Sequence, residues 1–297
     1  MSYSSFIPAE MPAPQVQALL QGAVAPRPVA FAATVDGAAR VNLSPFSFFN
    51  LFSSNPPILI FSPARRVRDN TTKHSLQNVL EVPECTINIV SYEMVHQMSL
   101  ASTEYEKGVN EFVKAGFTEL ASEVVKPPRV AEAPVQLECK VLEVKALGTG
   151  GGAGNLIICE VLRIHVKNNV LAADGRIDPF KIDQVARLGG DWYTRASAGL
   201  FEVEKPLTTK GIGVDALPES ARLSRILSGN DLGRLGNLQK LPSSEEREKI
   251  MTDPEVEEAY RRFSLHHESL EDHLHQLAHD WIAADRVTDA LALLMNS

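Results

Sequence analysis

From Asn42 to Phe52 the chain reads Asn-Leu-Ser-Pro-Phe-Ser-Phe-Phe-Asn-Leu-Phe, which holds four of its twelve phenylalanines. That density is too high for a solvated loop. Polar Asn42, Ser44, Ser47 and Asn50 are interleaved with the rings. A planar aromatic ligand with polar edges asks for this mixture: apolar faces for its rings, hydroxyls and backbone amides for its ring nitrogens and carbonyls. A hydrophobic strand or a dimer seam would use the same residues, so the stretch alone leaves both open.

A second cluster follows. Arg65-Arg66-Val67-Arg68 and Lys73-His74-Ser75 flank the start of a predicted helix, just after a strand ending at Phe61. Cationic side chains, a hydroxyl and a helix N-terminus together hold a phosphate. The plainer alternative is a solvated basic loop. Its position after the aromatic stretch favours a ring ligand that carries a phosphate, and flavin mononucleotide (FMN) has both halves.

Other features carry less. Gly148, Gly150 and Ala153 have the spacing of a dinucleotide fingerprint, but that fingerprint needs a strand leading into a helix. Here a second strand follows, from Asn155, so the glycines read as a hairpin loop. His267, Glu271, His275 and His279 recur every four residues on a predicted helix, a spacing that can bind metal. They flank the apolar Leu274–Trp281 face and read as a solvated row, so no metal is expected. No Gly-x-Ser-x-Gly elbow or nucleophile–base pair stands out, and no catalytic side chain is assigned.

The elements that must position these residues divide near Pro206. Before it, strands dominate. Residues 28–35 run into Asp36-Gly37, read as a short hairpin turn, and return through Arg40-Val41-Asn42. Residues 58–61, 85–90, 135–147 and 155–166 follow, with short helices around 72–80 and 94–101. Leu137, Cys139, Val141 and Val144 alternate in part with Glu138, Lys140 and Glu143, as in antiparallel sheets with one wet face. Five or more strands joined by turns predict a small antiparallel barrel. After Pro206 the pattern turns helical. Ser243-Ser244-Glu245-Glu246 matches a capping box, Asp253-Pro254 places a cap before a first-turn proline, and Leu270, Leu274, Leu277 and Trp281 repeat at helical spacing. The reading is an arm over 1–24, a barrel over 25–205 and a helical extension over 206–297, packed on the barrel or on a partner subunit.

Several motifs in order resemble one family. Pro26-Arg27-Pro28, then Asn42-Leu43-Ser44-Pro45-Phe46-Ser47, then Asn55-Pro56-Pro57 are similar to the flavin reductase-like, FMN-binding split-barrel family that includes flavoredoxin. Lys73-His74-Ser75 looks like that family's lysine–aspartate–threonine segment, with His74 and Ser75 in place of the acid and the threonine. Asn110-Glu111-Phe112 looks like its acidic–Phe element, and Arg187-Leu188-Gly189-Gly190-Asp191-Trp192-Tyr193 like its closing Arg–Gly–Gly–Tyr stretch. The resemblance covers roughly residues 25–194. It implies a mainly β (α+β) split barrel of antiparallel Greek-key type and a homodimer with FMN near the subunit interface. The Asn42–Ser47 loop would contact the ring, and the Lys73–Ser75 region, with Arg65 or Arg66, the phosphate. The expected cofactor-binding set is therefore Asn42, Ser44, Pro45, Phe46, Ser47, Arg65, Lys73, His74, Ser75 and Arg187, the last placed near charge that develops on the ring.

The expected activity is hydride acceptance from NAD(P)H on bound flavin, with electrons passed to an acceptor such as a partner monooxygenase. An FMN-binding electron carrier with little NAD(P)H activity is the alternative, and a cofactor-free structural homodimer a third. The formal charge of −8 argues against a nucleic-acid surface. No apolar run approaches the ~20 residues of a membrane span. Three scattered cysteines suit reduced thiols and a cytoplasmic setting.

Overall fold

The computed structural model describes residues 2–266 and 269–296. Two compact units, Met1–Phe201 and Glu202–Ser297, make up the chain.

In the first unit helix α1 (Ala13–Ala23) precedes strands β1 (Arg27–Pro28), β2 (Ala30–Val35), β3 (Val41–Phe46), β4 (Phe49–Ser54) and β5 (Pro57–Phe61). Helix α2 (His74–Glu81), strand β6 (Glu84–Ile89), and helices α3 (Val95–Leu100) and α4 (Glu111–Ala115) follow. The unit ends with the short strands β7 (Glu119–Leu120) and β8 (Arg129–Val130), the long hairpin β9 (Val135–Ala146) and β10 (Asn155–Val166), and β11 (Val185–Arg187) and β12 (Tyr193–Arg195). Seven strands form one sheet in the order β3-β2-β6-β9-β10-β5-β4, and a three-stranded sheet has the order β1-β11-β12. Every pairing in both is antiparallel.

Strands β3 and β4 end the large sheet, yet only Ser47 and Phe48 separate them. Three Cα steps span at most about 11 Å, so the sheet curls until its two end strands meet at this turn. The aromatic stretch is therefore two edge strands and the turn between them, the strand alternative of the two the residues leave open. The Asn42–Ser47 segment that the resemblance implies as a loop lies mostly in β3. Pro45 is compatible with that place, because an edge strand loses no ladder bond to a residue without an N–H.

All six residues of β2 are buried. Ala30 and Ala32 join Phe46, Phe61, Leu76, Val79 and Ile87 on one face. Phe31 and Ala33 join Leu43, Met94, Met98 and Phe112 on the other. A strand covered on both faces shows a continuous apolar run instead of alternation. The turn after it is longer than Asp36-Gly37 suggests. Val35 pairs with Val41, which leaves five residues between them. Asp36 Oδ1 accepts from the N–H groups of Ala38 and Arg40, and Ala39 takes the positive φ of 61°.

The β9–β10 connection carries the glycines. A Cβ on Gly151 would lie 3.0 Å from the carbonyl oxygen of Val67, and one on Gly154 would lie 2.7 Å from Ser62 Oγ. Close approach of the Val67 backbone and of the Ser62 hydroxyl explains these two glycines, and the chain returns as a strand.

The second unit is helical: α5 (Glu219–Arg222), α6 (Gly229–Gly236), α7 (Ser244–Ile250), α8 (Pro254–His266), α9 (Leu270–Ala283) and α10 (Val287–Leu294). Ser243 and Glu246 form the expected capping box on α7. Leu274, Trp281, Ile282, Leu291 and Leu293 anchor a core of this unit's own residues. His267 lies outside the described residues. His275 is buried with no partner at Nε2 among the described residues, whereas His279 Nδ1 bonds Asp231 at 3.0 Å. The expected solvated row is thus divided between core and surface.

Candidate functional site

The site grows from the start of α2. That helix buries Leu76 and Val79 in the core, which fixes its first turn against the sheet. Lys73 stands at its N-cap, and no side chain caps it among the described residues. Its first amides thus keep the partial positive charge that binds anions. Ser75, 1% exposed, accepts a hydrogen bond at 2.9 Å from Asn42 Nδ2 on β3. This buried contact joins the aromatic strand to the cation-rich helix start across 33 positions of sequence.

Around it the cations gather on one carboxylate. Arg66 Nε donates to Glu104 Oε1 at 2.7 Å, and its Nη1 donates to Thr71 Oγ1 and to the Thr72 carbonyl. Lys73 Nζ lies 3.8 Å from the same Glu104 oxygen, and Arg68 pairs with Glu104 as well. Burial lowers the pKa of Lys73 and of His74, with Arg66 the next cause for both. His74 is therefore a neutral imidazole at neutral pH, able to donate to phosphate. The bond from Arg66 holds the Glu104 carboxyl below its ordinary value. Nothing in the spacing of Glu104 marks it in the sequence.

On the ring side, Ser44, Pro45 and Ser47 are half-buried. Phe46 turns inward, 7% exposed, with its ring 5.3 Å from Phe61. The Leu43 N–H points away from β2 to Glu111 Oε2, 2.9 Å off. Glu111 is buried, and desolvation raises its pKa while the Leu43 bond partly offsets this. Backbone carbonyls and hydroxyls along an edge strand, beside aromatic rings, suit the polar rim of a planar ligand.

Two expected members stand apart. Arg65 is bound to its own loop, its Nε donating to Asn70 Oδ1 at 2.6 Å, while Arg66 is the arginine beside Lys73. Arg187 sits on β11, over the Tyr193 ring at 5.7 Å, with Nη2 donating to the Gly190 carbonyl at 3.3 Å. Among the described residues no hydrogen bond joins it to the Asn42–Ser75 pair.

Comparison with known proteins follows the same residues. Residues 23–180 match the model of the flavin reductase like domain. A protein of Aquifex aeolicus, described only as uncharacterized, is 36% identical over 178 residues, 60% of this chain and 88% of its own length. The crystal structure of nitrilotriacetate monooxygenase component B from Bacillus cereus is similar with a TM-score of 0.64 at 29% identity, covering 68% of this chain and all of that one. Flavoredoxin of Desulfovibrio vulgaris (Miyazaki F) shares the fold, with a TM-score of 0.52 at 23% identity over 62% of this chain and 92% of its own. No helix among the described residues is long and apolar enough to cross a membrane. With a family match over more than half of its length, and a relative aligned over most of its own, this chain belongs to the flavin reductase like domain family.

Proposed function

We propose that this protein binds FMN in a split barrel and works as an NAD(P)H-dependent flavin oxidoreductase. The observation that carries the reading is the Asn42–Ser75 hydrogen bond, which unites a ring-lining edge strand with an anion-binding helix start. The residues fit the cofactor. One uncapped helix N-terminus with Lys73, Arg66, Ser75 and neutral His74 suits a single phosphate monoester. Ser44, Pro45, Ser47 and the outer edge of β3 suit the ring. Arg66 replaces Arg65 in this role, because Arg65 is committed to Asn70. Phe46 supports the strand from the core side.

Bound flavin supplies two-electron chemistry: it accepts hydride from a nicotinamide and releases electrons to an acceptor. The chain's own part is positioning. Asn42 holds the Ser75 hydroxyl, Glu111 holds the backbone of β3, and Arg66 and Lys73 supply charge at the phosphate end. Arg187 is the cation proposed to face charge that develops on the ring, and its bond to Gly190 is long enough to exchange. A curled sheet whose end strands meet at Ser47 supports the barrel, and the exposed Leu51 and Phe52 of β4 support pairing with a second copy. The acceptor is proposed as a partner monooxygenase, by analogy with the component B relative.

Anaerobic visible spectra of the FMN-loaded protein test the reading. NADH or NADPH should bleach a protein-bound flavin band. A bound flavin that stays oxidised with both would favour the carrier reading, and no bound flavin would overturn the proposal. Lys73→Ala with Ser75→Ala should weaken FMN retention; an unchanged flavin dissociation constant would remove the assigned phosphate site.

A further inference from the structure

A cavity of about 570 Å³ opens in the first unit, apart from the phosphate-binding residues. Helix α1 lines one side with Val16 and Leu20; Phe48, Val67 and the backbone at Gly151 line the other. Its volume is ordinary for a small-molecule pocket. The walls are mainly apolar, with Gln17 and Gln21 the polar exceptions, and Arg27 is the one charged residue among those that line it.

Among the described residues Arg27 has no counter-charge. It is 7% exposed, and its Nη atoms donate to the backbone carbonyls of Gln21, Val24 and Leu188. Its Nε is buried with no partner among the described residues. No carboxylate pairs with it among them. Its cross-strand neighbour is a second cation, Arg187. Like charges placed opposite each other destabilise a strand pair. A buried cation without an anion is costlier still. The carbonyls at the end of α1 bond the guanidinium without neutralising it, so the wall presents a cation whose charge an anion entering the cavity would offset. The guanidinium also stands 5.9 Å from the Phe48 ring, so the charge and an aromatic face are presented together.

We propose that this cavity binds a small aromatic carboxylate, with its ring between α1 and Phe48 and its carboxylate turned toward Arg27. A neutral aromatic of the same size gains the apolar contacts but leaves the cation uncompensated. Selectivity for the acid follows. None of the cavity's residues is in the proposed flavin-binding set, but Phe48 follows Ser47, Val67 follows Arg66 and Arg27 pairs with Arg187, so the test reads FMN competition directly.

Fluorescence titration of the full-length protein with 2-naphthoate and 2-naphthol, with and without FMN, tests this. Naphthoate should bind one per chain, and at least about tenfold more tightly than naphthol. Leu20→Trp fills the cavity from a helix that buries none of its residues. It should abolish naphthoate binding and leave the flavin dissociation constant unchanged. Arg27→Gln should remove the preference for the acid. Absent naphthoate binding, equal affinity for naphthol, or binding that survives Leu20→Trp would overturn the proposal. So would competition by FMN, which would make the cavity part of the flavin site. FMN retention is read in the same samples, so failure of the flavin reading would show separately.

Discussion

Glu104 changes how the cations of the site should be weighed. Arg66, Arg68 and Lys73 all reach it, so a phosphate bound at the helix start as proposed would meet one carboxylate among three cations. Glu104→Gln should therefore tighten FMN binding roughly two- to fivefold at low salt, with the gain fading as salt screens it. Weaker binding in that variant would mean that Glu104 chiefly holds the cations in place. His74 makes a second prediction. Its folded pKa is lowered by burial and by Arg66, Lys107 and Lys73. A depressed histidine contributes stability above its unfolded pKa, near 6.5, and loses it as pH falls. His74→Gln should thus reduce the acid sensitivity of the FMN-free protein below pH 6.5; melting profiles that fall in parallel with wild type would refute it. At this scale the sequence revealed residue types but not directions. Arg65 and Arg66 are equivalent as letters, and only packing sends one to Asn70 and the other to Glu104. Glu104 lies 31 positions after Lys73 with no periodic relation to it.

Elements were more legible than their ends and joints. The alternation and β-branching of 135–146 and 155–166 specify strands because one face is buried and the other is wet. Helix α1 lacks that signal, for none of its residues is buried, and the sequence there predicts only an arm. The residues of β3 leave strand and ligand-binding loop both open, because polar residues and Pro45 suit either and an edge strand tolerates both. Pairing with β2 holds one side of β3 and Glu111 the other; the Asn110-Glu111-Phe112 motif marks that residue in the sequence, but not its bond to Leu43. Desolvation raises the Glu111 pKa, so the folded state holds its proton more firmly than the unfolded chain. Stability from this group is full below about pH 4.3 and declines as pH rises through the folded pKa. Glu111→Gln keeps an acceptor for the Leu43 N–H and removes the buried charge. It should gain melting temperature on wild type between pH 4.5 and 8. Glu111→Ala orphans that N–H and should lose about 1–3 kcal/mol. A glutamine variant that melts lower than wild type at pH 8 would show that the ionised carboxylate is needed to hold β3.

At the scale of the whole molecule, the chain has separate cores. The strand-rich unit packs around Phe31, Phe61 and Ile87, and the helical unit around Leu274, Trp281 and Leu291. The flavin-binding residues proposed above all belong to the first. In the second, Trp281 is 3% exposed, donates through Nε1 to Glu255, and lies 4.1 Å from the Arg286 guanidinium. Arg286 in turn pairs with Asp253 and Asp289. Trp281→Ala removes the packing centre and leaves Glu255 without its indole partner, a loss of about 3–5 kcal/mol for a large buried aromatic. Calorimetry should show the helical unit's transition moving down while the other unit's stays in place. FMN retention separates two roles for the extension. If the flavin dissociation constant holds while the helical unit melts early, the extension serves something other than the flavin. If flavin is lost together with the helical transition, residues beyond Phe201 hold the cofactor or the oligomer that binds it, and the site extends past the family domain.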